Sequence, residues 1–140
     1  MTNEVTTMAY FLAKTDPQTY SIDDLKRDGK TEWDGVRNPA AVNAIKAMKP
    51  GDTVIIYHSQ SDTAVVGLAK VVSPPRPDEN DARSWVADFE YVSHAKRPVT
   101  LREIRDSHKF DDWALVRQGR LSTMSAPEEF WSWLQEQGAF

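Results

Sequence analysis

Apolar residues along the chain fall into short runs of two kinds, and each predicts a different element. Tyr10-Phe11-Leu12-Ala13-Lys14 predicts a strand, closed by Thr15-Asp16-Pro17, where Pro17 pushes Asp16 out of helical geometry and sets a turn. Thr53 to Tyr57 is apolar on both faces apart from Thr53, which predicts a central, buried strand. Thr63 to Val72 predicts another, with Gly67 inside it marking a bulge or a close backbone approach. Ser84 to Ser93 alternates, with Trp85, Ala87, Phe89 and Tyr91 on one face and Asp88 and Glu90 on the other, as in a strand with one wet face. Ser73 to Arg83, with Pro74, Pro75, Pro77, Asp78, Glu79 and Asp81, predicts a surface loop.

Helical signals lie between these runs. Ser21 and Asp24 form a capping-box pattern before a short helix that ends near Asp28-Gly29. Asn38-Pro39 starts a second helix, whose apolar stripe is Ala41, Ile45 and Met48 and which stops at Lys49-Pro50-Gly51-Asp52. Thr100 and Glu103 make a second capping box, for a helix through Arg105. Phe110, Trp113 and Ala114 predict a further helical turn. Arg117 to Ser122 reads as a polar loop leading to a short edge segment, and Ser125 and Glu128 frame a last helix that packs Phe130, Trp133 and Leu134 inward. The outline is α+β: a small, mostly antiparallel β-barrel with short helices packed around it.

Composition narrows this picture. At 140 residues and 40% hydrophobic content the chain is one domain with a real core. Met1 to Met8 is polar and reads as a disordered leader, which leaves 9–140 as the domain. The absence of cysteine excludes disulfides and cysteine-based zinc sites and fits a cytoplasmic protein. No run of ~18 apolar residues is present, so no membrane-spanning helix is expected. A net charge of -4 argues against coating nucleic acid through a broad basic surface, while leaving room for a local basic patch.

Candidate chemistry points to binding rather than catalysis. Gly-rich phosphate loops are absent. His58, His94 and His108 lie in different elements without metal-ligand spacing, and no cofactor is implied. His58 and Ser59 are adjacent on a strand and so point to opposite faces. The acid pairs Asp23-Asp24 and Asp111-Asp112 sit at helix starts, where they complement the dipole. In contrast, Trp33, Arg37 and Asn38 share one turn, Tyr57, His58 and Ser59 end a strand, Phe11 and Lys14 come from the first strand, and Arg117, Arg120 and Ser122 come from the late loop. Aromatics can stack on a planar ring, Asn and Ser can read its edge, and Arg or Lys can hold a phosphate beside it. Each also has a plainer use. Trp33 and Phe11 can be core, Asn38 a helix cap, and Arg37 and Arg120 can pair with Asp16, Asp34 or Asp52. Pattern alone stops at a small barrel with a pocket.

Six motifs in order carry the reading further: Tyr10 to Pro17, Tyr20 to Leu25, Trp33 to Asn38, Met48 to Asp52, Tyr57 to Ser59 and Arg117 to Ser122. In them the chain resembles the EVE domain family, a branch of the PUA-like superfamily, over roughly Ala9 to Leu134. The resemblance implies a PUA-like barrel with helices and non-catalytic recognition of a modified nucleobase in DNA or RNA. Phe11, Lys14, Trp33, Arg37, Asn38, Tyr57, His58, Ser59 and Arg120 stand at matching positions. It implies ring contacts from Trp33, Phe11 and Tyr57, edge reading by Asn38 and Ser59, and phosphate contacts from Lys14, Arg37, Arg117 and Arg120. The chain departs from the family pattern at Phe11, where Trp is usual, at Thr15-Asp16, where Ser-Glu is usual, and at Gly119, where Ser is usual. Pro39 to Asn43 also lacks the family's aromatic and second Arg-Asn pair. The alternative is a small-metabolite or protein-interaction module on the same barrel, motivated by the acidic balance. A nucleotide-processing enzyme relying on His58 or an Asp is a third reading.

Overall fold

The computed structural model describes residues 8–60 and 63–140, so the expected leader lies outside the described residues apart from Met8. In chain order the elements are β1 (Tyr10–Thr15), α1 (Ile22–Asp28), β2 (Lys30–Trp33), α2 (Pro39–Ala47), β3 (Thr53–His58) and β4 (Ala64–Val71). They are followed by β5 (Arg76–Asp78), β6 (Asp81–Thr100), α3 (Leu101–Ser107), α4 (Ala114–Arg117), β7 (Thr123–Ala126) and α5 (Glu128–Glu136). The strands form one seven-stranded sheet in the order β2-β6-β4-β3-β1-β7, with β5 also on β6. Only β1 and β3 run parallel, joined by the α1–β2–α2 crossover; the other pairs are antiparallel.

The closed barrel expected from the sequence does not form. Closure would require β2 and β7, the two ends of the strand order, to pair with each other. Each is only four residues long, and neither pairs with the other. The α+β class and the mostly antiparallel pairing hold.

Local sequence explains most elements. Ser21 and Asp24 close a reciprocal capping box on α1, and Thr100 and Glu103 do the same on α3. The Asn38 side chain accepts from the amides of Ala40 and Ala41, with Pro39 at the first helical position. The last helix differs from expectation: Ser125 lies in β7, and Pro127, which caps with no side-chain bond, precedes α5. The proline-rich stretch is also more ordered than its composition predicts. Arg76–Asp78 pairs with the start of β6, so the expected loop is largely a hairpin. β6 in turn runs on to Thr100, beyond the alternating segment, because β4 keeps pairing with it through His94, Val99 and Thr100.

The core lies between the sheet and the helices. Leu12, Val54, Ile55, Val65, Phe89, Ile104, Phe130 and Leu134 are fully buried. Each such side chain contributes roughly 1.5–3 kcal/mol by leaving water. Phe110, Trp113, Phe130 and Trp133 pack as one aromatic cluster under α5, with Trp113 and Phe130 centroids 4.6 Å apart. Gly67 is the close approach foreseen. A Cβ there would lie 2.6 Å from Ile22 Cδ1 and 2.7 Å from the Ser93 carbonyl oxygen. The missing side chain lets α1 lie against β4, at a register shift between Val65 and Gly67.

Candidate functional site

The seam left by the unclosed sheet is a pocket of about 320 Å³, within the range of ordinary ligand sites, roughly 300–1,000 Å³. One wall is the end of β1, Lys14 and Thr15, with Ser122 beside it. The opposite wall is β2, Thr31 to Trp33, continued by Asp34, Gly35 and Val36. Thr19 and Tyr20, leading into α1, close a third side. The edge strand β2 and the end of β1, which do not pair with each other, thus form two walls.

Each wall is fixed from behind. β2 is held by antiparallel pairing to β6, with Trp33 opposite Ala87. The Trp33 indole stacks on Phe89 at 5.1 Å between centroids and takes the edge of Tyr20 at 6.3 Å. Tyr20 is anchored in turn: its hydroxyl donates to Asp28 at 2.8 Å, and its carbonyl accepts from the Thr15 hydroxyl at 2.6 Å. Burial, with the Asp28 bond, pushes the Tyr20 phenol above its ordinary pKa. On the first wall the Lys14 backbone amide donates to the Ser122 carbonyl at 2.8 Å, and Lys14 Nζ donates to the Gly119 carbonyl at 3.0 Å. Burial lowers the pKa of that ammonium, which also sits 5.7 Å from the centre of the Tyr57 ring.

The residues expected from the sequence divide into three groups. Lys14, Trp33 and Ser122 line the pocket. Tyr57, His58 and Ser59 stand one strand behind it. Tyr57 and His58 pair with Lys14 and Thr15 in the β1–β3 register, and the Ser59 amide donates to the Thr15 carbonyl at 2.9 Å. Tyr57 is buried, which raises its pKa. His58 Nε2 accepts the amide of Ile22 at 3.0 Å and so holds the start of α1. Burial lowers the His58 pKa, with His94 acting in the same sense and Asp23 opposing. The third group lies away from the lining. Phe11 is in the core, and Asn38 caps α2. Arg37 Nε meets Asp81 at 2.6 Å, a different partner from the acids considered from sequence. Arg117 holds Asp112 at 2.7 Å and the Asp111 carbonyl at 3.1 Å. Arg120 is exposed on the loop next to Gly119.

Sequence reading missed Tyr20, Thr31 and Asp34. Tyr20 directly precedes the Ser21 capping box, which explains its place in the sequence without a site. β2 has a single buried apolar residue, Trp33, and so no period to detect. A second hollow, of about 530 Å³, lies between Phe110, Trp133, Glu128, Glu129 and Glu136. Its three carboxylates and one lysine, Lys109, make a poor seat for a phosphodiester. Among the described residues no three His, Asp or Glu side chains converge as metal ligands, and no helix is long and apolar enough to cross a membrane.

The fold is thus an open α+β sheet of seven strands and five short helices, with a cavity lined by polar and aromatic side chains between β1 and β2. The family model of the EVE domain matches residues 9–137, and the chain belongs to that family. Mouse thymocyte nuclear protein 1 is 32% identical, over 71% of this chain and 57% of the relative. The chain thus spans 57% of the length of such a curated relative. Protein Atu2648 from Agrobacterium tumefaciens matches with a TM-score of 0.89 and 32% identity, covering 94% of each chain. Human THYN1 protein, solved in complex with 5-methylcytosine-containing DNA, matches with a TM-score of 0.82 and 27% identity, covering 92% of this chain and 97% of that one.

Proposed function

We propose that this chain binds a modified base of a nucleic acid in the seam pocket, without catalysis. The observation that carries this is the likeness, over 92% of the chain, to human THYN1 protein solved with 5-methylcytosine-containing DNA. The pocket supports it. Trp33 and Tyr20 offer ring surface, Thr15, Thr31 and Ser122 offer hydroxyls, and Lys14 offers a cation at one wall. Arg120, exposed on the loop beside Gly119, offers a second cation for a phosphate. Tyr57, His58 and Ser59 act from behind, by holding β1 and α1 in place. Phe11 and Asn38 support core and helix.

The test is binding of short single-stranded and duplex oligonucleotides carrying one modified cytosine or adenine, against unmodified controls at two salt concentrations. Preference for one modification, weakened in Lys14→Met and in Trp33→Phe, is the expected result. Salt-sensitive binding without preference would reduce the role to a general nucleic-acid module. Absence of binding at both salts would overturn the proposal. It would favour the alternative, a small-metabolite or protein-interaction module, which the net charge of -4 and the engagement of Arg37 and Arg117 by aspartates already motivate.

A further inference from the structure

Three charged side chains line the seam pocket: Lys14, Glu32 and Asp34. Two are engaged by the protein. Lys14 Nζ donates to the Gly119 carbonyl at 3.0 Å, and the Glu32 carboxylate takes the Arg76 guanidinium at 2.7 Å. Asp34 has no comparable partner among the described residues. It follows Trp33 directly and precedes Gly35, whose φ of 78° turns the chain at the rim. An ionised carboxylate only accepts hydrogen bonds. Asp34 lines the pocket next to Trp33, so its carboxylate can accept an N–H from a ring bound there and would repel a carbonyl oxygen in the same place.

We propose that Asp34 is a specificity-determining residue, accepting the exocyclic amino group of the bound base. The inference rests on the base-binding reading above and deepens it. Cytosine carries an amino group at position 4, where thymine and uracil carry a carbonyl oxygen, and carboxylates accept from that amino group. The chemical class selected is an amino-pyrimidine over its oxo counterpart.

The comparison that isolates this is 5-methylcytosine against thymine at one position of an otherwise identical single strand. Both keep the methyl group and the ring; they differ at position 4 and in the proton on N3. Measured by fluorescence anisotropy, the wild-type chain binds the 5-methylcytosine strand about tenfold more tightly or better. Asp34→Asn, whose amide can donate to a carbonyl oxygen, brings the two strands within about twofold, and Asp34→Ala removes the preference by weakening the 5-methylcytosine strand. Asp34 is exposed, so both variants are expected to fold, and circular dichroism checks this. Equal binding of the two strands by the wild type, or a preference that survives in both variants, overturns the role of Asp34 and leaves base binding standing. Failure of both strands, with failure of every other modified strand, overturns base binding itself and this inference with it.

Discussion

The ammonium of Lys14 rests on the carbonyl of Gly119, 3.0 Å away and 105 residues further along the chain. The backbone of Lys14 is tied beside it, to the Ser122 carbonyl at 2.8 Å. One residue of β1 therefore fixes the late loop and places its own charge on the pocket wall. Lys14→Met keeps the length and apolar body of the side chain while removing the charge. We expect it to fold, to weaken oligonucleotide binding on the order of three- to tenfold, and to reduce the slope of log affinity against log salt by about one. Titration at four or more salt concentrations reads both effects; an unchanged slope would remove Lys14 from the phosphate contacts.

Trp33 carries two duties that a single variant confuses. Its stacking on Phe89 is a core contact, and it also lines the pocket in which a base is proposed to bind. Trp33→Ala is expected to cost about 3–5 kcal/mol of stability, a large share of the roughly 5–15 kcal/mol available to a domain. Trp33→Phe retains a ring on Phe89 and costs less. Urea denaturation of the two variants measures the difference, and binding is best compared in Trp33→Phe.

His58 makes stability depend on pH. Its Nε2 accepts the Ile22 amide, so the folded chain holds the neutral ring, and burial lowers its pKa below the ordinary 6.5. The unfolded chain then takes up the proton first. The stabilisation is complete above about pH 6.5. It is lost as the pH falls through the lowered folded value. The titratable groups facing the ring are Asp23 on α1 and His94 on β6, themselves 2.6 Å apart. We expect the Tm of the wild type to drop more between pH 7 and pH 5 than that of His58→Gln, whose amide oxygen can still accept from Ile22. Parallel slopes in thermal melts would count against this assignment.

Gly67 should not tolerate a methyl group. The added Cβ would meet Ile22 Cδ1 at 2.6 Å and the Ser93 carbonyl oxygen at 2.7 Å. Gly67→Ala is expected to destabilise by about 1–3 kcal/mol. Trimming the neighbour in Gly67→Ala with Ile22→Ala should give no rescue, because the backbone of Ser93 remains. Recovery of stability in the double variant would place the strain on Ile22 alone. Chemical denaturation of the four-member cycle decides it.

What the sequence reveals here is local, and what it hides is tertiary. Both capping boxes, the Asn38 cap, the buried β3 and the tight Gly67 are visible because each depends on neighbours along the chain or on one strand's own pattern. β2 is not, since Lys30-Thr31-Glu32 has nothing apolar; its conformation comes from pairing with β6. That strand carries one wall of the pocket, so Thr31 has no signal in the sequence, and Asp34 just after it reads there only as a partner for Arg37 or Arg120. Alternating strands define buried faces but not whether the first and last edges meet, which is why a closed barrel was expected where a seam exists. The partner of Arg37 was misjudged for a similar reason: Asp81 comes near it only through the β5–β6 hairpin.

The parallel pairing of β1 with β3, and the antiparallel pairing of β1 with β7 at Tyr10 and Ala126, join distant parts of the chain. Such contacts form slowly, because a long loop must close before they stabilise anything. The β3–β4–β6 strands can assemble earlier, through shorter connections. A partly folded chain of that kind would hold much of the sheet and no pocket, since Lys14, Gly119 and Ser122 meet only when β7 docks. Binding at the pocket, as proposed, would thereby be confined to chains whose longest loops have closed.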